Sequence, residues 1–249
     1  MAGEAGLADL ACAAGTAYSV TFAGLDPGEH RLDLDRACGV AFESVPPVRL
    51  FARYHGQRSN TGLWGSATTG RHVGFESWLE RDHLMLLDFD PTVAGIASQP
   101  LRLHWDDGQR VRRHVPDFFV RQADGTGVLV DVRPAGRIRA ADVAAFAATA
   151  AACRQVGWQY RLVHEPDPVI TANVRWLAGY RHPRCRRPAL AVAAETVFAT
   201  TQPLMRGAAL LDDLLVSLPV VFHLLWHGRL RTDLSVVLSH ASLVTTVDR

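Results

Sequence analysis

Two aspartates, Asp117 and Asp131, each stand beside an apolar run in the stretch HVPDFFVRQADGTGVLVDVRP, residues 114–134. Aspartate is a poor strand former, and a carboxylate next to a buried strand is costly unless something compensates it. Between the two runs lies ADGTG, with the Asp and Gly content of a hairpin turn. Strands paired through that turn bring the carboxylates together at one end of a sheet. Close carboxylates repel, and one is driven toward protonation unless a cation lies between them. A divalent cation removes the conflict, and hard oxygen donors suit Mg²⁺, with Mn²⁺ as a substitute. Arg133 is two residues beyond Asp131, so both side chains share one face of the strand. Its guanidinium is thereby placed to grip a phosphate beside the metal.

More acid precedes this hairpin. GFESWLERDHLMLLDFDP predicts a helix over 74–88, with Phe75, Trp78, Leu79, Met85 and Leu86 at helical spacing and Asp90-Pro91 as its stop. Glu76 and Glu80 are four apart on one face, a mildly destabilising like-charge pair. Either a nearby metal offsets that repulsion, or Arg71, Arg81 and solvent screen it.

The remaining elements must position these residues. VAGIASQP and LRLHW have strand character, and the charged turn DDGQR separates the second from VRRHVPDFFV. GVLVDVR is a β-branched strand ending at Pro134, residues 139–155 are Ala-rich and helical, and WQYRLVH (158–164) is a last strand. Helix, three or four strands, helix, strand implies an α/β fold, a mixed sheet with helices packed on it. Upstream, strand-like runs fall near 16–23 and 31–42, and 46–72, rich in Gly, Ser, Thr, Pro and Arg, reads as loop. HEPDP (164–168) marks a boundary. Beyond it come helical pieces near 171–180, 189–200, 207–216 and 219–227, with Gly228 as a C-cap. SVVLSHASLVTTV then reads as a two-stranded ribbon, giving a winged-helix outline. The expected domains are 1–69, an extension of loop and short strands; 70–165, the acid-bearing domain; and 166–249, a smaller helical domain.

Bulk properties bound the function. The chain has 249 residues, 48% of them hydrophobic, enough for one large domain or two small ones. Its net charge of +1 does not by itself indicate a polyanionic partner. All basic residues are arginine, the better fork for phosphate, although base composition of the source genome yields the same bias. Four scattered cysteines show neither metal-ligand spacing nor a disulfide framework. Neither a signal peptide nor an apolar run long enough for a membrane helix is evident. A reduced, cytoplasmic protein is the expectation.

The order Glu on a helix, then PD, then D-x-R closing a strand resembles the PD-(D/E)xK nuclease superfamily. The longer context is more specific. ESWLERDHLMLLDFDPTVAGIASQP, VPDFFV and VLVDVRP together are similar to the catalytic domain of TnsA-type transposon endonucleases, over roughly residues 70–165. The resemblance implies a restriction-endonuclease-like fold. It places the family's catalytic Glu on Glu80 rather than Glu76, its Gln on Gln99, its metal-binding Asp on Asp117 and its second acidic or amide position on Asp131. Arg133 falls on the family's Lys position, where the lysine orients or activates the attacking water. This is a departure, because arginine stays protonated and cannot be a general base. It can still orient water and stabilise developing charge.

The resemblance thus implies a metal-dependent endonuclease acting on double-stranded DNA at transposon ends. Asp117, Asp131 and the Val132 carbonyl would bind Mg²⁺ or Mn²⁺, with Glu80 completing the site. Implied partners are a DDE-type transposase and an AAA+ ATPase, and no membrane. Arg53, Arg58, Arg71 and His114 are candidate DNA contacts, as are Arg184, Arg186 and Arg187 in RHPRCRRP; a solvated loop and a basic linker are the competing explanations. Two alternatives stand beside the nuclease: a catalytically weak assembly or DNA-binding subunit of the same complex, and a defence or repair nuclease of the superfamily. His223 and His227 have the i, i+4 spacing of zinc-binding helices but lack the HExxH glutamate in a strongly apolar segment, which assigns them to packing.

Overall fold

YSVTFA alternates apolar and polar residues, and Tyr18–Ala23 forms the first strand, β1. The computed structural model that shows this describes residues 17–24, 28–49 and 60–247. It divides the chain into two units. One holds the residues up to His83 together with Thr92–Glu165; the other holds Leu84–Pro91 and the residues from Pro166. Arg53 and Arg58 lie outside the described residues.

In the first unit β1 is followed by β2 (Glu29–Asp33), the short helix α1 (Leu34–Ala37), the hairpin β3 (Gly62–Gly65) and β4 (His72–Phe75), and helix α2 (Trp78–Phe89), which passes into the second unit after His83. Then come β5 (Val93–Ser98), β6 (Arg102–Asp106), β7 (Val111–His114), β8 (Phe118–Gln122), β9 (Gly127–Val132), α3 (Ala140–Gln155) and β10 (Gln159–Val163). Two four-stranded sheets result. One has the order β2-β1-β6-β7 and is antiparallel throughout. The other has the order β10-β9-β8-β5, with β10 parallel to β9 and the remaining pairs antiparallel. The α3 crossover supplies the length that a parallel β9–β10 pair requires. The core of this unit joins alternate residues of β1 (Tyr18, Val20, Phe22) and β6 (Leu103, Trp105) to Phe119, Leu129, Ala152 and Trp158.

Four expectations need correction. VRRHVPDFFV is not one strand, because β7 belongs to the first sheet and β8 to the second. Pro116 lacks the N–H that a continuous ladder needs, so the chain changes sheets there. The segment read as loop contains β3, paired with β4 through a turn in which Gly70 takes φ 65°; its glycines and threonines masked a four-residue strand. No division falls at 69–70, since β1 and β2 pair into the same sheet as β6 and β7. Helix α2 also starts later than periodicity suggests, at Trp78, because Ser77 Oγ accepts from Glu80 N and ends the preceding extended segment.

The second unit contains α4 (Pro168–Ala178), α5 (Pro188–Val197), β11 (Gln202–Pro203), α6 (Leu204–Ala209), α7 (Leu214–Trp226), β12 (Leu230–Arg231) and β13 (Leu243–Thr246). Asp167 caps α4 by accepting from Val169 N and Ile170 N, and Asp213 caps α7 by accepting from Leu215 N. The small sheet has the order β11-β13-β12. The ribbon expected within 235–247 is therefore corrected: β13 pairs with distant β11 and β12, and residues 234–241 are irregular. Asn173 ties that segment down, donating to the carbonyls of Leu234 and Val236 and accepting from Leu238 N. Among the described residues no helix is long and apolar enough to cross a membrane.

Candidate active site

β8 and β9 pair antiparallel with Phe118 opposite Val130. One further step of that register sets Asp117 opposite Asp131, at the end of the sheet where β8 leaves Pro116. Both carboxylates are buried, Asp117 at 5% exposure and Asp131 at 0%. Their environments differ.

Asp131 is clasped by His114 and Tyr160. His114 Nε2 lies 2.9 Å from each of its oxygens, and Tyr160 Oη donates to Oδ2 at 2.9 Å. His114 reaches it from β7 in the other sheet, Tyr160 from the parallel neighbour β10. The ring of Phe146 on α3 packs edge-on against His114. Burial, and then the Asp131 charge, push the Tyr160 hydroxyl far above its ordinary value, so it keeps its proton. The same two causes push the Cys153 thiol up to about 12.

Asp117 instead meets a cation. Its Oδ2 accepts from Val132 N at 2.8 Å and from Arg133 Nη1 at 2.8 Å. The same guanidinium nitrogen donates to the Val132 carbonyl at 2.7 Å. Burial, followed by the neighbouring Asp131 charge, still raises the Asp117 pKa well above the usual carboxylate range, and Arg133 only partly opposes this. Ionised Asp117 beside Asp131 is therefore disfavoured at this end of the sheet.

Glu80 is buried at the start of α2, and both its oxygens are engaged locally. Oε2 accepts from Glu76 N at 2.7 Å and Oε1 from Ser77 Oγ at 2.9 Å. Burial raises its pKa, and those two hydrogen bonds oppose the rise. Glu76 binds Arg49 Nη2 and Gln99 Nε2, and Arg49 Nε donates to Gln99 Oε1, closing a three-residue network. Gln99 is fully buried with φ 47°, and its N–H donates to the carbonyl of Asp117. A left-handed non-glycine residue stores strain and persists only where its surroundings over-determine it. Here the Gln99 N–H bond ties the PD turn to the end of β5.

The fold thus gathers His114, Asp117, Asp131 and Arg133 at one sheet end, with Glu80 acting on Asp117 through its charge. Glu76 and Gln99 form the adjoining network. Arg71 stands apart, donating to Glu43 O and Ser44 Oγ. Arg184, Arg186 and Arg187 are exposed in the second unit. Tyr160 and Phe146 were missed in the sequence. Tyr160 had a faint signal, a hydroxyl in an otherwise half-apolar strand; Arg49 was legible only as a loop cation, not as a partner of Glu76 and Gln99.

Three carboxylates and a carbonyl are hard oxygen donors, and a divalent cation would favour the ionised form of Asp117 that burial disfavours. The donor chemistry therefore fits Mg²⁺ or Mn²⁺. As folded, the described residues hold no group of three His, Cys, Asp or Glu side chains gathered about one point. Glu80 is turned into its helix cap, and Arg133 takes one oxygen of Asp117 together with the Val132 carbonyl.

Residues 90–165 match the family model described as TnsA-like endonuclease N terminal. Over that segment the chain is similar to the TnsA-like endonucleases. The match takes in Gln99, His114, Asp117, Asp131, Arg133 and Tyr160, and stops short of Glu76, Glu80 and the residues from Pro166. No curated protein matches the chain. Within the TnsA-like segment, the four residues gathered at the sheet end all come from β7, the PD turn, and β9 with the residue after it.

Proposed function

We propose that the TnsA-like segment is the catalytic part of a metal-dependent DNA endonuclease subunit, cutting one phosphodiester at transposon ends within a heteromeric transposase. One observation carries this: Asp117 and Asp131, one register step beyond the Phe118–Val130 pair, are both buried, and burial with the Asp131 charge raises the Asp117 pKa despite Arg133. Asp117, Asp131 and the Val132 carbonyl would hold Mg²⁺ or Mn²⁺. When bound, such an ion polarises the scissile phosphate and lowers the pKa of a bound water. Glu80 completes the site on leaving its cap. Arg133 cannot accept a proton, so its part is to donate to the phosphate and stabilise charge developing there. His114 and Tyr160 hold Asp131 in one orientation. Hydrolysis leaves a 5′-phosphate and a 3′-hydroxyl.

Arg71, His114, Arg184, Arg186 and Arg187 are the described candidates for contact with double-stranded DNA, as phosphate-binding cations. Four helices accompanying the small β11-β13-β12 sheet support a winged-helix reading of the second unit. Exposed Trp176, Leu215 and Val237 give that unit an apolar surface, suited to a protein partner such as a DDE-type transposase or an AAA+ ATPase. A reaction on chromosomal DNA places the protein in the cytoplasm. The test is cleavage of a supercoiled plasmid or a transposon-end DNA with Mg²⁺ or Mn²⁺, with and without a DDE-type transposase partner. Loss of cutting in Asp117→Ala supports the assignment, and unimpaired cutting refutes it.

A second reading has its own observation. With Arg133 seated on Asp117 and the Val132 carbonyl, the domain keeps its fold without a metal and serves as a weakly active assembly subunit. Metal-dependent nicking separates the two.

A further inference from the structure

The oxygens of Asp117 and Val132 assigned above to a divalent cation already have an occupant. One nitrogen, Arg133 Nη1, lies 2.8 Å from Asp117 Oδ2 and 2.7 Å from the Val132 carbonyl. A magnesium ion would need both oxygens at roughly 2.0–2.1 Å, so ion and nitrogen cannot share them. The rest of the guanidinium lies over the Phe146 ring, 5.8 Å from its centroid.

The Arg133 backbone is pinned while its side chain is not sealed in. Arg133 N donates to Val163 O, and its own carbonyl accepts from His164 Nδ1 at 2.7 Å. The side chain keeps 31% of its exposure. A rotamer change can therefore carry the guanidinium outward without disturbing β9 or β10. Glu80 and Asp131 also face Arg133 electrostatically, so the displaced charge leaves an acidic setting that a divalent ion would enter.

We propose that Arg133 is a resident counter-ion standing in the metal's seat, and that a divalent cation binds by displacing it toward the substrate phosphate. This rests on the nuclease reading above. It explains how buried acids stay folded before metal arrives, a role that the uncharged alternatives Gln or Met could not fill. It also couples the two ligands. A phosphate that receives the released guanidinium favours the displaced state, so DNA and metal each strengthen binding of the other by the same factor.

The test measures Mn²⁺ affinity of the full chain by calorimetry, with free Mn²⁺ followed by electron paramagnetic resonance. Variants are Arg133→Gln, Asp117→Ala and the double substitution, with Arg133→Met replacing Arg133→Gln if the latter does not fold. Removing the resident cation should tighten Mn²⁺ binding by about tenfold, and Asp117→Ala should abolish it in both backgrounds. In Arg133→Gln, the unfolding temperature without metal should fall, and Mn²⁺ should restore it. Equal or weaker Mn²⁺ binding by Arg133→Gln, with binding still lost in Asp117→Ala, overturns the displacement and leaves the metal site standing. Absence of Mn²⁺ binding in wild type and every folded Arg133 variant refutes the metal site itself, and the displacement with it.

Discussion

The two units bury polar groups in opposite ways. In the second, the buried Asn173 and His223 are neutral and satisfied by backbone: Asn173 staples Leu234, Val236 and Leu238, and His223 bonds the Tyr180 carbonyl. Its buried Asp88 lies close to the Arg181 guanidinium. In the first, three carboxylates are buried, Glu80, Asp117 and Asp131, and burial with the Asp131 charge raises the Asp117 pKa despite Arg133. A neutral buried amide with three partners stabilises a fold and asks for nothing more. Opposed buried carboxylates do not stabilise a fold, and persist where a ligand or a reaction uses them. The difference marks the first unit as the one organised around chemistry.

Four measurements would break or sharpen this contrast. The largest effect is expected for Asp117→Ala, which should lower metal-dependent cleavage by about 10³-fold, the scale of losing one major electrostatic element of a site. Asn173→Ala should leave Mn²⁺ binding unchanged, and a loss there would remove the contrast. Second, His114→Ala leaves Asp131 with Tyr160 alone and should cost about 3 kcal/mol in urea unfolding. Third, Asn173→Ala should cost about 2 kcal/mol and by the same amount at pH 5 and pH 8, because no charge is involved. A pH-dependent cost would mean that the neutral staple is coupled to a titrating group.

The fourth effect is the smallest and concerns sign. The folded Asp117 pKa is raised above its ordinary 3.8, so the folded chain holds that proton over a window where the unfolded chain has lost it. Metal-free stability from this group therefore falls as pH rises through the window. Asp117→Asn should accordingly gain stability relative to wild type as pH rises from 4 toward neutrality. His223 behaves oppositely: burial lowers its pKa below 6.5, the unfolded chain takes the proton first, and stability is lost as pH falls. His223→Gln should flatten that acid-side loss. Parallel slopes for the two substitutions, in urea titrations at stepped pH, would contradict the contrast.

Much of the acid-bearing hairpin was legible because it is local. The turn residues of ADGTG and the flanking apolar runs suffice to pair β8 with β9, and pairing sets Asp117 against Asp131. The Ala-rich run 139–155 and helix α3 nearly coincide for the same reason. Elsewhere composition misled. GLWG among glycines and threonines read as loop, and VRRHVPDFFV read as one run although Pro116 divides it between sheets.

What the sequence determined by itself is the set of short-range choices: which residues alternate, where turns fall, and that two acids and an arginine share one strand end. Only the tertiary structure decided what each acid touches. Tyr160 reaches Asp131 because α3 returns the chain to lie parallel beside β9, and His114 reaches it from another sheet. Glu80 turns to its own helix cap, and Arg133 settles on Asp117 and the Val132 carbonyl. Periodicity and turn chemistry act between neighbours in the chain, whereas the partner of a buried charge depends on which distant segments the packing brings within hydrogen-bond reach.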